Sequence, residues 1–275
     1  VTLSGGAISV DGAITAYADE YSIATGSGNL TIVTSNDAVA FKKGTSASQT
    51  GKVTLGENNF TIDTDTTNTV DGNQNGGHIT FEGDIIGATH STPASNTAVD
   101  ISLDAGSGGT LTVLGIGHTT GGSDNTEINA VTLTGSTIST NGKINTVSNT
   151  KDDRGTVTIT GALSLAGNTT IETNTAVSET LDGDVTIDGA TNAAASQTLT
   201  IESGSGAVDF SGIIGGTNGL GTVAINTTAG SAGNLSTGTI AIAGVGSADG
   251  STTSGTDNGS TFTAGNTNTV SITLD

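Results

Sequence analysis

In 275 residues the chain carries 26 acidic side chains against 6 Lys and Arg, a net charge of -20, so it has no basic surface to neutralise a phosphate backbone or dock on anionic lipid. Cysteine is absent, which excludes a disulfide framework and thiolate metal sites. The modest 12% of charged residues, set among Gly, Ser, Thr and Asn with recurring β-branched residues, excludes a charge-rich disordered tail.

The opening Val1-Thr2-Leu3-Ser4-Gly5-Gly6-Ala7-Ile8-Ser9-Val10 alternates apolar with small or polar residues, the period of a strand with one buried face. No basic-then-apolar leader follows Val1, and no apolar run reaches the ~18 residues that span a bilayer. The expectation is therefore a mature piece of an exported, longer protein. Ala16 to Tyr21 is the one short stretch with helical patterning, too short to be read as a helix. Leu30-Thr31-Ile32 and Gly51-Lys52-Val53-Thr54-Leu55 resume the strand pattern, after turns such as Gly26-Ser27-Gly28-Asn29 that supply positive φ.

Between Phe60-Thr61-Ile62 and Ile79-Thr80-Phe81 lies a loop, Asp63 to Gly77, that ends in a motif. Asp71-Gly72-Asn73-Gln74-Asn75-Gly76-Gly77-His78-Ile79-Thr80-Phe81-Glu82 satisfies the calcium-loop pattern D-x-[DN]-x-[DN]-G-x5-E. Oxygen ligands would come from Asp71, Asn73, Asn75, the Gly77 carbonyl and a bidentate Glu82, with Gly76 permitting the sharp turn. The strand-like flanks argue against a helix-loop-helix hand, and two neutral Asn ligands imply weak affinity, on the order of 10⁻⁴ to 10⁻³ M. The alternative is a polar Gly/Asn turn. Asp63/Asp65 and Asp182/Asp184 are weaker pairs that read equally well as solvated turn residues.

Further along come a second loop, Ala88 to Ala98, and the strands Leu111-Thr112-Val113 and Val131-Thr132-Leu133. After the charged turn Lys151-Asp152-Asp153-Arg154 follow Val157-Thr158-Ile159, Leu199-Thr200-Ile201, Val223-Ala224-Ile225 and Ile240-Ala241-Ile242. A third loop covers Gly246 to Gly259. Five segments recur in order about 130 residues apart, beginning with Val1 to Gly12 against Val131 to Gly142 and including Ile79 to Gly83 against Val208 to Gly212. This predicts one copy over 1–130, a second over 131–269 and the start of a third over 270–275, either as separate units or as one continuous β-helix.

The fold class is all-β. A parallel β-helix is favoured over tandem β-sandwich domains of about 130 residues, because no Trp, 2 Tyr and 5 Phe are thin for sandwich cores while 43 Gly suit frequent tight corners.

Gln197-Thr198-Leu199-Thr200-Ile201-Glu202-Ser203-Gly204-Ser205-Gly206-Ala207-Val208-Asp209-Phe210-Ser211-Gly212-Ile213-Ile214-Gly215-Gly216, followed by Leu220-Gly221-Thr222-Val223, resembles the repeats of giant filamentous-haemagglutinin-like and autotransporter-like bacterial surface proteins. The resemblance covers most of the chain and rests on repeat style. It implies a right-handed parallel β-helix, export to the cell surface, and an adhesive or structural role in a fibre or extracellular matrix.

No enzyme is expected; the enzymatic alternative, a polysaccharide-degrading β-helix, would need clustered carboxylates with basic or aromatic substrate contacts. His78, His90 and His118 lack zinc spacing, no Ser sits in a G-x-S-x-G elbow, and the basic residues are scattered. Expected partners are other copies of the chain or surface and matrix glycans, with no nucleic acid and no membrane insertion. Calcium is the one candidate cofactor. Thr156-Val157-Thr158 and Thr198-Leu199-Thr200 suggest a competing use, a flat glycan- or ice-binding surface. Asn29, Asn59, Asn168, Asn226, Asn234 and Asn258 open N-x-[ST] sites, which permit glycosylation without predicting it.

Overall fold

A computed structural model describes residues 1–23, 28–46, 48–56, 58–65, 75–87, 99–117, 128–146, 155–173, 182–193, 196–204, 206–215 and 220–225, together with the backbone of 239–245, 261–264 and 269–272. The chain climbs as a parallel β-solenoid. Each coil lays down three short strands, and each strand pairs in parallel with its counterpart in the coil above, which makes three sheet faces.

On the first face, Gly6–Val10, Leu30–Thr34, Phe60–Asp63 and Val99–Asp104 stack in sequence. The face continues through the start of Ile128–Asn145, the start of Thr156–Glu172, Val185–Asp188 and Val208–Ile214. The second face runs from Ile14–Ala18 through Val39–Lys43, Ile79–Phe81 and Thr110–Val113. The third runs from Thr2–Leu3 through Glu20–Ile23, Lys52–Thr54 and Ile85–Ile86. Ladders between named strands are all parallel, where a sandwich would show antiparallel ones. The segment Ala16 to Tyr21 is divided between two strands: Ala16 and Ala18 turn inward on the second face and Tyr21, past the corner, on the third.

Register carries the alternation of the sequence into columns of buried side chains. Ile8, Ile32, Ile62, Leu103, Leu133, Ile159, Ile187 and Phe210 stand one above another on the first face. On the third face Tyr21, Val53, Ile85, Ile116, Ile144, Ile171, Ile201 and Ile225 do the same. From Leu30 upward these positions are almost fully buried. At about 25 cal/mol per Å² they supply the driving force that a protein without disulfides must take from burial.

Aromatic residues concentrate near the base. Phe41 stacks flat on Phe81 at 5.1 Å, while Tyr21 and Phe60 meet Phe41 edge-on at 5.1 and 6.1 Å. The Tyr21 hydroxyl donates to the Lys42 carbonyl at 2.7 Å, which satisfies its one polar atom.

Corners explain the glycines. Gly135, Gly161, Gly189 and Gly212 follow the first face in successive coils. A Cβ on Gly161 would lie 1.8 Å from the Gly135 carbonyl oxygen, and one on Gly189 would lie 2.2 Å from that of Gly161. Both adopt positive φ, +121° and +148°. The 18-residue strand Ile128–Asn145 bends round two such corners, at register shifts between Thr134 and Thr137 and between Thr140 and Gly142.

Not all matched segments of the sequence occupy matched places. Thr2–Leu3 lies on the third face, whereas Thr132 and Leu133 lie on the first; Ile79–Phe81 lies on the second and Val208 to Phe210 on the first. Every face uses the same alternation and the same Gly corners, so similar strings arise wherever a strand meets a corner. The junction between 130 and 131 falls inside Ile128–Asn145, which pairs below with Val99–Asp104 and above with Thr156–Glu172.

Candidate functional site: the outward side of the first face

Because inward and outward residues alternate, each coil presents a fixed set of outward positions on the first face. One column reads Ala7, Thr31, Thr61, Ser102, Thr132, Thr158, Thr186 and Asp209. A second, two residues along, reads Val33, Asp63, Asp104, Thr134, Thr160 and Asp188. Coils repeat at about 4.8 Å and the two columns stand about 6.6 Å apart, so the face is a flat lattice of hydroxyls with carboxylates at intervals.

Charge is segregated. Lys42 and Lys43 lie on the second face and Lys52 and Lys143 on the third, and among the described residues no Lys occupies the first. Lys52 pairs with Glu20 at 2.7 Å and Lys143 with Glu172. The first bond holds the Glu20 carboxyl below its usual range.

Asp63 and Asp104 are register partners on adjacent coils. Asp65 donates its backbone N–H to Asp63 Oδ1 at 3.0 Å, and Gly106 donates to Asp104 Oδ1 at 2.8 Å. Partial burial, then the contact with the Asp63 side chain and the nearby Asp104 charge, push the Asp65 carboxyl up to about 6. This corner was visible in the sequence only as the pair Asp63/Asp65. Asp104, distant in the chain, joins through coil stacking.

Asp184, the outer member of the Asp182/Asp184 pair, accepts the Ala207 N–H through Oδ1 at 2.8 Å, while Asp182 is buried at 6% exposure. The sequence pattern also gave no notice of a ladder at the corner that leads into the first face. Asn59 N–H donates to Asn29 Oδ1, Asp100 N–H donates to Asn59 Oδ1, and Asn129 Nδ2 donates to Asp100 Oδ1, all between 2.9 and 3.1 Å. Two of these Asn open N-x-[ST] sites, and the ladder gives them a structural use. Asn29 and Asn59 stand immediately before the first apolar residue of their strands, whereas Asp100 and Asn129 are the second residue of theirs.

No family model, curated protein or solved structure matches the chain. The residues of the calcium pattern must therefore be judged from their own surroundings. Asp71 and Asn73 lie outside the described residues, as do His90, His118 and the turn Lys151 to Arg154. The Gly77 carbonyl accepts a hydrogen bond from the buried Thr64 hydroxyl at 2.8 Å, and the Asn75 carbonyl accepts from Gly108. Glu82 Oε2 accepts the Lys43 N–H at 3.1 Å.

Strand Ile79–Phe81 separates Gly77 from Glu82, placing them at opposite ends of the second face, and an extended chain advances about 3.3 Å per residue. The structure does not bring Gly77 and Glu82 together around one point. Among the described residues no group of three or more His, Cys, Asp and Glu could hold a metal ion. His78 accepts the Thr110 N–H through Nδ1 at 3.0 Å, a link between coils.

Proposed function

We propose that the chain is a non-enzymatic structural and adhesive segment of an extracellular cell-surface fibre or matrix protein, of the filamentous-haemagglutinin-like and autotransporter-like kind. The observation that carries this reading is the unbroken parallel pairing from the first coil to the last described strand. A scaffold whose coils contact only their neighbours grows by adding coils and serves length and surface. Its outward sides are rich in hydroxyl and carboxylate groups, with the lysines among the described residues on two faces, which suits a strongly hydrated exterior. Other copies and matrix glycans are the partners of this reading.

Immunogold labelling of unpermeabilised source cells with antibody to the chain tests it: label at the outer surface is expected, and label confined to the cell interior would sink it.

A second reading draws on one patch. Thr132, Thr134, Thr158 and Thr160 form two adjacent T-x-T rows on the first face, a hydroxyl grid suited to a glycan or an ice plane, with calcium as an auxiliary ligand. Glycan-array and thermal-hysteresis measurements with and without a chelator test it, and blanks in both would remove it.

A further inference from the structure

Two corners of the solenoid are closed by one device, whatever length of chain lies within it. The corner after the first face holds Thr34 and Thr64, which come directly after the register partners Val33 and Asp63. The corner after the third face holds Thr173 and Ser203, directly after the register partners Glu172 and Glu202. All four residues are fully buried.

Each hydroxyl donates to the carbonyl of the residue at which the chain comes back to the solenoid. Thr34 donates to Asp37 at 2.6 Å, Thr64 to Gly77 at 2.8 Å, Thr173 to Gly183 at 2.6 Å and Ser203 to Gly206 at 3.1 Å. In the three pairs that end on Gly the bond is returned, because the Gly N–H donates to the backbone carbonyl of the Thr or Ser at 2.8 to 3.2 Å. The returning residues are stacked in close contact. A Cβ on Gly183 would lie 1.5 Å from the Gly155 carbonyl oxygen, and one on Gly206 would lie 2.1 Å from that of Gly183.

The clasped partners are 3 residues apart in Thr34 and Asp37 and in Ser203 and Gly206, but 13 apart in Thr64 and Gly77 and 10 apart in Thr173 and Gly183. A short span and a long one therefore occupy the same corner on consecutive coils. A buried closure with hydrogen bonds in both directions fixes the backbone at both ends, and the entropy of a longer span grows only with the logarithm of its length.

We infer that the clasp is an insertion point: it sets the path of the coil by itself, and the segment between Thr173 and Asp182 contributes nothing to the folding of the solenoid. This goes beyond the surface-fibre reading and holds wherever the chain resides. In a fibre, it lets segments that meet a partner change length while the coils keep their register. Thr146 supplies a contrast within the same column. It directly follows Asn145, the register partner of Glu172, and is equally buried, yet its hydroxyl has no hydrogen-bond partner.

The test replaces residues 174–181 of the full chain by a single Gly, so that this Gly and Asp182 fill the corner as Gly204 and Ser205 fill the next one. Circular dichroism and the thermal midpoint are measured for the unmodified and shortened chains, each with and without Thr173→Val, and for Thr173→Ser and Thr146→Val. The shortened chain is expected to keep its β signal and to melt no lower than the unmodified one. Thr173→Val, which removes the donor to the Gly183 carbonyl, should lower the midpoint by the same amount at both lengths, about 2–8 °C. Thr173→Ser, which keeps the hydroxyl, should restore it, and Thr146→Val should not lower it.

A shortened chain that fails to fold or melts lower overturns the inference, since the segment would then hold the coils. Thr173→Val without effect, or with effect only in the long chain, overturns it from the other side, since the clasp would then not close the corner.

Discussion

Two residues show how far local chemistry departs from the average of the fold. Thr191 occupies the inward column of the second face that otherwise holds Ile14, Val39, Ile79, Leu111, Ile138, Leu163 and Ile214. It is fully buried and its hydroxyl has no hydrogen-bond partner. A buried unpaired hydroxyl costs about 1–3 kcal/mol, so Thr191→Val, nearly equal in shape, should stabilise the protein by about 1 kcal/mol in urea titration.

Asp65 acts through protons. Its carboxyl is raised to about 6 in the folded chain from an ordinary value of 3.8. The folded state therefore binds the extra proton between those values, and the contribution to stability is fully present below pH 3.8. It is lost as pH rises through 6. Asp65→Asn should accordingly raise stability at pH 7.5 by on the order of 1–2 kcal/mol, solvent screening allowed for, and leave it unchanged near pH 3.5. Unfolding curves at the two pH values check the sign.

At the scale of the element, each strand is held by its neighbours above and below and by the ladder at its entrance. Phe60 is completely buried and touches Phe41 and Phe81 edge-on. Phe60→Ala should cost about 3–5 kcal/mol, since a cavity in a column closed by backbone ladders cannot collapse freely. Asn59 bonds to the coils on both sides at once, through its N–H and its Oδ1. Asn59→Ala should cost about 1–2 kcal/mol, more than an exposed polar change, because it leaves the Asp100 N–H without its acceptor. Both are measurable as shifts in the chemical denaturation midpoint. Corners obey a stricter rule than strands: Gly161 and Gly189 meet the carbonyl oxygens of the coil below, so any side chain there must push two coils apart.

For the whole molecule, stability is a sum of coil-on-coil contacts. Two described residues of the calcium pattern are already engaged in such contacts, Gly77 with Thr64 and Glu82 with Lys43. Removing calcium with a chelator should therefore leave the thermal midpoint within about 1 °C, where a loss of 1 kcal/mol in a chain of this size would move it about 2–4 °C. A larger fall on chelation would place a stabilising ion on ligands other than this pair.

The amino-acid sequence by itself determined the class of fold. Alternation of Val, Ile and Leu with Thr and Ser, with Gly at short intervals and few aromatics, can bury its apolar half only where strands pair on many sides, and the coils use it in that way. It also determined the acidic, hydroxyl-rich exterior. Which residues become neighbours was decided only by the tertiary structure. Insertions of unequal length separate successive strands, so Phe60 pairs with Leu30 below and with Ile101 above, and some strings that match in sequence, such as Thr2–Leu3 and Thr132–Leu133, fall on different faces. Register is set by stacking each coil on the one beneath it. For that reason Asp104 reaches Asp63 and Asn29 reaches Asn59.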